Sequence, residues 1–435
     1  MDAALVGILG IIVLLIVLFI LGMPVGFAMA VVGFCGFSYV ITPQAALNMI
    51  ATDLWTTFSK YGLTVIPLFI LMGYLAFHAG IAERLYDAAY KWVGHWRGGL
   101  AIATIAADEM FAAICGSNTA TAATMGAVAL PQMNKYNYDT RLSTGTVVTG
   151  GTLGTVMPPS VVLIIIGLQT EQSIVKLFLA GILPAIILGL LFVVTIIVLC
   201  RLYPDFGPAG PKTSLAEKLK SLLGVIEALT IFVLVIGGLY FGVFTPTEAG
   251  AAGVFITLVV SFSTRKLTWK GFIRSIGDTL KISCMVYMLV TGAIIFGRFL
   301  AVTRLPFMVA DFAASLPVSP YVILVMVMGI YLLGGCFMDS LGFLVLTIPI
   351  FFPLGIALGF DPIWYAIVLT MVTTMGAITP PVGVNIYVVK ALAPDIELAT
   401  IFKSVSFFLL ACIGSIILLI IFPQLALIIP NAMFH

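Results

Sequence analysis

Hydrophobic residues along this chain come in long runs, without the apolar–polar alternation of half-buried soluble elements. Leu5–Leu21, Ile182–Leu199, Leu222–Phe241 and Phe407–Phe422 are each long enough to cross about 30 Å of hydrocarbon as a helix. The short alternating segments of a membrane barrel are missing, so helices are the predicted spanning element. Polar breaks divide the first half into spans near 3–22, 24–41 and 62–80, a hairpin-like pair at 98–114 and 117–131, a broken span at 143–168 and a last span at 176–200. The second half divides likewise: spans near 223–242, 246–263 and 280–297, a second pair at 318–335 and 340–356, a broken span at 363–390 and a last span at 400–422. Two amphipathic stretches, 42–61 and 299–317, are expected to lie in the interface. The initial apolar run has no basic lead and no small-residue cleavage site, so it reads as a permanent first span.

The halves share their punctuation. Residues 152–160 read Thr-Leu-Gly-Thr-Val-Met-Pro-Pro-Ser, and residues 374–382 read Thr-Met-Gly-Ala-Ile-Thr-Pro-Pro-Val. The step is 222 residues (374 − 152), and it also carries Pro24 onto Pro246, Pro131 onto Pro353 and Ser117 onto Asp339. The chain therefore reads as two copies of one unit, 1–202 and 223–435, joined by a Pro- and Gly-rich exposed linker at 203–222. Duplicated apolar units broken by Gly and Pro at matching places point to a secondary transporter, and the breaks point to its binding site.

A hairpin that enters and leaves on one side does not change the chain's sidedness. Each copy then crosses an odd number of times, and the second copy is inverted relative to the first. Charge supports this threading. With the N-terminus outside, the inner loops hold Arg84, Lys91, Arg97, Lys135 and Arg141. They also hold Arg201, Lys212, Lys218, Lys220, Arg265, Lys266, Lys270, Arg274, Lys281, Lys390 and Lys403. Only Lys60, Lys176, Arg298 and Arg304 of the 20 basic residues fall outside, as the positive-inside rule requires. Both termini are expected on the outer, periplasmic side.

Composition narrows the class further. Hydrophobic residues make up 62% of the chain and charged residues 9%, against about 25% charged in a soluble domain. The net charge of +2 says little about partners, and nothing in the sequence suggests nucleic-acid binding. The 6 cysteines are far apart, without a C-x-x-C pair, and are expected to be buried and inert. Trp55, Trp92, Trp96, Trp269 and Trp364 fall near predicted boundaries, as an aromatic belt would.

Three features could carry chemistry. Gly116, Ser117 and Asn118 are poor helix formers between apolar runs, so they make a natural re-entrant tip; the small Ala and Thr residues at 120–124 also suit plain helix packing. The counterpart, Gly334–Ser340, contains Asp339, a carboxylate costly inside a membrane and a functional candidate for that reason. A simple N-cap role is the bland alternative. Third, each Pro-Pro pair forces its helix to unwind and frees carbonyls at membrane depth, which is tolerated only inside protein or beside a wet cavity. Carbonyls with Thr149, Thr152, Thr155, Thr373, Thr374, Thr379 and Asn385 around them suit a hard cation such as Na+, and half-helix N-termini suit an anion. Arg298 and Arg304 read as interfacial snorkelling side chains, with pairing to an anion or a partner as the alternative.

With those residues in view, the sequence resembles the large membrane subunit of tripartite ATP-independent periplasmic (TRAP) transporters along essentially its whole length. The resemblance is carried by Leu21-Gly-Met-Pro-Val-Gly26, Ile66-Pro-Leu-Phe-Ile-Leu-Met-Gly73, Gly94-His-Trp-Arg-Gly-Gly-Leu100, Gly116-Ser-Asn-Thr-Ala-Thr121, Met157-Pro-Pro-Ser160 and Leu179-Ala-Gly-Ile-Leu-Pro184. In the second half it is carried by Phe244-Thr-Pro-Thr-Glu-Ala-Gly250, Phe360-Asp-Pro-Ile-Trp364 and Thr379-Pro-Pro-Val-Gly-Val-Asn385.

The resemblance implies an all-α, multi-pass importer of the bacterial inner membrane, elevator-type and driven by Na+, built of two inverted repeats with two re-entrant hairpins and two Pro-Pro-broken helices. It implies two partners, a small four-helix membrane subunit on a separate chain and a periplasmic binding protein that delivers an organic acid. It places Na+ sites at Gly116, Ser117 and Asn118 with Thr152, Thr155 and Pro158, and at Gly335 and Asp339 with Thr373, Gly376 and Thr379. Substrate is expected against Ser117, Asn118, Ser160, Asp339, Ser340 and Asn385. Family tips often read Ser-Gly-Ser-Ser where this one reads Cys115-Gly-Ser-Asn118, so backbone ligation is the part of the first site that carries over.

Other readings fit less well. A dicarboxylate/Na+ symporter or a cation/proton antiporter would also use inverted repeats, but an antiporter wants several intramembrane acids and Asp339 stands nearly alone. A membrane enzyme would rest on His78, Asp108 and Glu109, which show no nucleophile–base or metal-ligand spacing. The residues therefore predict a non-enzyme.

Overall fold

A computed structural model describes residues 3–433 of the chain. Its first half contains α1 (Ala3–Phe19), α2 (Val25–Val40), α3 (Pro43–Ser59), α4 (Val65–His78), α5 (Ile81–Val93), α6 (Gly99–Cys115), α7 (Asn118–Lys135), α8 (Thr140–Gly150), α9 (Leu153–Val156), α10 (Val161–Thr170) and α11 (Ile174–Leu202). The second half contains α12 (Leu215–Tyr240), α13 (Pro246–Ser263), α14 (Trp269–Val302), α15 (Leu305–Ser315), α16 (Pro320–Phe337), α17 (Ser340–Ala357), α18 (Pro362–Gly376), α19 (Val384–Leu392), α20 (Leu398–Ile421) and α21 (Gln424–Met433). Among the described residues, 9 helices are long and apolar enough to cross a membrane, and no strand is present. The protein is a multi-pass, all-helical membrane protein.

The helices recur at the 222-residue step read from the prolines. Shifting α7 by 222 gives 340–357, the bounds of α17; shifting α6 gives 321–337, one residue inside α16. Both predicted hairpins are present as α6–α7 and α16–α17, with tips at Gly116–Ser117 and Met338–Asp339. Both broken spans are present as well. The first is interrupted twice, at the Gly150–Gly151 pair and again over 157–160, whereas the second has one gap at 377–383. The extra interruption is local: two adjacent glycines weaken a helix that the second copy continues through Val372 and Thr373.

The copies diverge in one long element. The first half breaks between α3 and α4 at Gly62, with Pro67 in the first turn of α4. The step places Cys284 and Leu289 there in the second half, so nothing stops the helix and α14 runs unbroken for 34 residues, about 50 Å. The predicted span at 280–297 is therefore the middle of a longer helix, and the interfacial stretch at 299–317 resolves into the end of α14 plus α15.

The connection between the halves also differs from expectation. The span expected from 223 begins at Leu215, because Ser214 and Glu217 close a reciprocal capping box. What remains of the linker is pinned rather than open. Gly98 N donates to the Gly207 carbonyl (2.8 Å), Gly210 N to the Gly94 carbonyl (2.9 Å) and Asp139 N to the Phe206 carbonyl (3.0 Å). Arg141 stacks 4.5 Å over the Phe206 ring and donates to both oxygens of Asp139. That hydrogen bond holds the Asp139 carboxyl below its ordinary range.

Two groups of helices emerge from the packing. α2–α4 pack chiefly with α13 and α14, α1 lies on α2 and α12 on α5 and α13, while the hairpins and broken helices gather around α11 and α20. The second group is the more buried: almost every residue of α8–α10 and α18 is enclosed. On the outer faces, Leu5, Ile12, Phe19, Leu229, Val233 and Phe255 are exposed, as lipid- or partner-facing side chains are. Two expectations about single residues fail here. Trp364 is buried and donates Nε1 to the Leu419 carbonyl (2.8 Å) instead of joining a belt. All 6 cysteines are unpaired, but Cys35 and Cys284 face outward.

Candidate functional site

Each hairpin tip is built by a helix that cannot continue. In the first, Gly116 takes φ +64, a left-handed conformation that ends α6, and Ser117 then turns extended to cap α7. In the second, Met338 is extended and Asp339 caps α17, its Oδ2 accepting from Leu341 N at 3.1 Å. The N-termini of α7 and α17 therefore point into the interior with their first N–H groups directed at the tips.

Each tip is tied to the break of its own broken helix. Val161 N, the first N–H after the Met157–Ser160 gap, donates to the Gly116 carbonyl at 3.3 Å. In the second copy Gly383 N donates to the Cys336 carbonyl at 2.9 Å. The approach is close enough to demand small residues: a Cβ on Gly116 would overlap the Pro159 carbonyl oxygen, and one on Gly335 would lie 2.5 Å from that of Thr373. The Pro158–Pro159 and Pro380–Pro381 bonds are both cis.

Hydroxyls around the breaks use their O–H groups on backbone carbonyls. Thr152 Oγ1 donates to the Thr149 carbonyl (2.6 Å), Ser160 Oγ to that of Thr155 (2.6 Å), Thr373 Oγ1 to Leu369 (2.6 Å) and Thr379 Oγ1 to Met375 (2.7 Å). A hydroxyl that donates to a carbonyl presents only lone pairs elsewhere, which suits a cation and not an anion. Three further buried oxygens have no protein partner: Thr155 Oγ1, Asp339 Oδ1 and Ser340 Oγ. Among the described residues no group of three His, Cys, Asp or Glu side chains could hold a metal. Any cation here depends on carbonyls, hydroxyls and the single Asp339 carboxylate, a donor set of hard oxygens that fits Na+.

The structure brings some of the expected residues together and leaves others apart. Gly116, Ser117, Asn118, Thr155 and Asp339 line one cavity of about 440 Å³ between the tips and the α4–α14 wall. Ser340 and Ser160 are buried directly beside its lining residues Leu341 and Val161. The Asn118 side-chain amide lies beside the Asp339 carboxyl across the two tips, and both Asn118 Nδ2 and Asp339 Oδ1 are enclosed. Gly335, Thr373 and Gly376 lie instead where α16 crosses α18, and Pro158 packs toward Gly181 of α11. Thr152 faces Thr374 and Ser415 behind the break. Asn385, expected against substrate, does not line the cavity: it is fully buried and donates Nδ2 to the Val148 carbonyl of α8 at 3.3 Å. Its α19 packs on the first copy, a contact that no local pattern reveals.

Sequence reasoning missed two sets of residues. Asp339 is not nearly alone, because Asp108 and Glu109 are intramembrane acids on α6 whose carboxyl oxygens are buried without partners. Their acidity was visible inside the span predicted at 98–114, yet they entered only as candidates for an enzyme. Arg298, expected to snorkel, instead grips the buried Asp53 of α3 with two hydrogen bonds of 2.9 and 3.2 Å. With Lys60 and Glu171 this pair lines a second cavity of about 610 Å³, whose far wall is Ile348–Pro353 of α17.

Comparison with known proteins follows the same outline. Residues 12–425 match the family described as "Tripartite ATP-independent periplasmic transporter, DctM component". The chain is 35% identical over 387 residues to the C4-dicarboxylate TRAP transporter large permease protein DctM of Pseudomonas aeruginosa, covering 89% of this chain and 90% of that one. It is 32% identical over 415 residues to the sialic acid TRAP transporter large permease protein SiaM of Vibrio cholerae, covering 94% and 95%. The ectoine/5-hydroxyectoine TRAP transporter large permease protein UehC of Ruegeria pomeroyi is 29% identical over 423 residues, covering 97% and 98%. Among solved structures, the Alcanivorax borkumensis YdaH transporter shares the fold, with TM-score 0.58 at 15% identity over 87% of this chain and 89% of that one.

Proposed function

The chain belongs to the DctM component family of tripartite ATP-independent periplasmic transporters, and on that premise we propose that it is the permease of a Na+-coupled importer of an organic acid. The observation that carries this reading is the duplicated union of a hairpin tip with an unwound helix. At each union, carbonyls and hydroxyls that already donate to carbonyls stand beside the N-terminus of a half-helix. Oxygen cages of that kind take Na+, and the half-helix N-termini take a carboxylate.

In this reading the first cage draws on Gly116, Ser117, Asn118, Thr152, Thr155 and Pro158, and the second on Gly335, Asp339, Thr373, Gly376 and Thr379. Substrate sits between the tips in the 440 Å³ cavity, against Ser117, Asn118, Asp339 and Ser340. The buried group of hairpins and broken helices moves as the carrier body against the α1–α4 and α12–α14 scaffold. The outer scaffold faces receive a small four-helix subunit, and a periplasmic protein delivers the acid. Relatives named as sialic acid, C4-dicarboxylate and ectoine TRAP permeases support an organic, mostly acidic cargo.

The test is uptake by proteoliposomes that hold the complete transporter with its membrane and binding-protein partners. Uptake is expected to require an inward Na+ gradient and to be indifferent to ATP. Uptake that proceeds without Na+ but needs ATP would overturn the proposal. Orientation gives a second expected result. Lys212 and Lys270 are exposed on either side of the first repeat-two spans, and single cysteines there should react with an impermeant thiol reagent only from the cytoplasm. Labelling of either in intact cells from the periplasm would contradict two inverted repeats with periplasmic termini.

A further inference from the structure

One exposed stretch carries charge that neither the tip cavity nor the proposed ion cages use. Residues 264–281, the turn after α13 and the start of α14, hold Arg265, Lys266, Lys270, Arg274 and Lys281 against a single acid, Asp278. All five basic residues are exposed, and among the described residues none of them is within ion-pair distance of an acid. Asp278 is turned to His78 instead, 3.3 Å away. Positions 270, 274, 277 and 281 are spaced 4, 3 and 4 residues apart and so share one face of α14. Between Arg274 and Lys281 that face is bare: Gly277 is exposed, and nothing lies within 4 Å of a Cβ placed there. Positions 269, 273 and 280 lie one residue round the helix and form an apolar stripe. Trp269, Ile273 and Leu280 are each more than half exposed, and the Trp269 ring leans on that of Phe272 at 5.3 Å.

We propose that this face of α14 binds one anionic phospholipid, its phosphate over Gly277 among Lys270, Arg274 and Lys281 and its chains along Trp269, Ile273 and Leu280. The proposal does not depend on which solute the transporter carries. α14 is about 50 Å long against about 30 Å of hydrocarbon, so about 20 Å of it stands at headgroup level or beyond. The basic stripe from 270 to 281 covers about 16 Å. Trp269 is the kind of side chain that settles at that level, and Lys281, the deepest of the three cations, carries its ammonium outward on a long stem. Clustered Lys and Arg attract phospholipids of net negative charge and gain little from zwitterionic ones, whose amine offsets the phosphate. The missing side chain at 277 lets a phosphate approach the helix with charged donors above and below it. The bias of basic residues to one side of a membrane accounts for charge at this end of α14. It does not require that charge in one stripe around a bare glycine, next to an apolar stripe.

The probes are dioleoylphosphatidylglycerol, dioleoylphosphatidylcholine with the same chains, and inorganic phosphate, each titrated into the purified full-length chain in neutral detergent. Bound lipid is read by native mass spectrometry. The glycerol lipid is expected to bind at least about 10-fold tighter than the choline lipid, and phosphate at matching concentration should displace neither. Lys270→Gln, Arg274→Gln and Lys281→Gln together should bring the two lipids within about 3-fold of each other. Two further variants separate a site from a diffuse field. Arg201→Gln, Lys212→Gln and Lys220→Gln together remove the same charge from other exposed positions and should keep the preference. Gly277→Leu keeps every charge but fills the bare face, and should weaken the glycerol lipid at least about 5-fold while the lipid-free melting temperature holds. Equal binding of the two lipids to the unmodified chain, or a preference that survives the 270/274/281 variant, would overturn the proposal. So would an equal loss in the 201/212/220 variant, or no loss in Gly277→Leu, since either assigns the effect to the overall positive surface. Phosphate that displaces the glycerol lipid on equal terms would also overturn it, in favour of a free-anion site.

Discussion

Asp339→Asn is expected to abolish Na+-dependent uptake, a loss of at least about 100-fold, while the protein still folds and inserts. Asp339 does two things that the substitution separates. Through Oδ2 it caps α17 at Leu341 N, and an Asn oxygen can accept the same bond, so the cap should weaken by at most about 1 kcal/mol. Its other oxygen is enclosed beside Asn118, at a residue that lines the tip cavity. If that carboxylate balances a coupled ion, the amide removes a whole charge from beside the cation and nothing replaces it. Uptake and melting temperature measured on one preparation distinguish the roles. Near-normal uptake with reduced stability would assign Asp339 to capping alone and leave backbone oxygens as the ion's ligands.

The second large effect is expected from Gly116→Ala. Gly116 has φ +64, and a methyl there would overlap the Pro159 carbonyl oxygen across the tip-to-break contact. The substitution therefore costs twice: a left-handed alanine is strained by about 1 kcal/mol, and the tip must lift away from the broken helix, costing about 1–3 kcal/mol more. Lifting it also loosens the Val161 N to Gly116 carbonyl bond, so transport should fall further than stability. Gly329 on α16 is the control. Nothing lies within 4 Å of a Cβ there, so Gly329→Ala should leave uptake unchanged and stabilise slightly, as helical Gly-to-Ala changes do. Equal damage from both substitutions would show that the tip contact has no special role.

The parts of this molecule that were legible beforehand are those made by short-range covalent geometry. The hairpin tips were placed at Gly116–Asn118 and within Gly334–Ser340, and the helices end at Cys115 and Phe337. Adjacent prolines cannot donate to a helix ladder and crowd the turn before them, so both broken helices could be read from the Pro-Pro pairs. Even the unbroken α14 was implicit in the repeat. Cys284 and Leu289 stand where Gly62 and Pro67 break the first copy, although the comparison had to be made residue by residue.

Side-chain partners were another matter. The Arg298–Asp53 pair joins residues 245 positions apart, and hydropathy assigned Arg298 to the interface because it measures a residue's neighbours in sequence only. The same limit hid the role of Asp108 and Glu109: a carboxyl in an apolar run looks alike whether it faces lipid, water or the helices it is packed among. It also hid Asn385, which reaches Val148 of the other copy, and the pinning of the linker at Gly207 and Gly210. The sequence by itself determined where helices start, stop and unwind, how often the pattern repeats and that the chain lives in a membrane, because glycine, proline and hydrocarbon content act over a few residues. Only the tertiary structure decided which wall faces the tips, which acids are enclosed and which break meets which hairpin, because those contacts arise where distant helices pack.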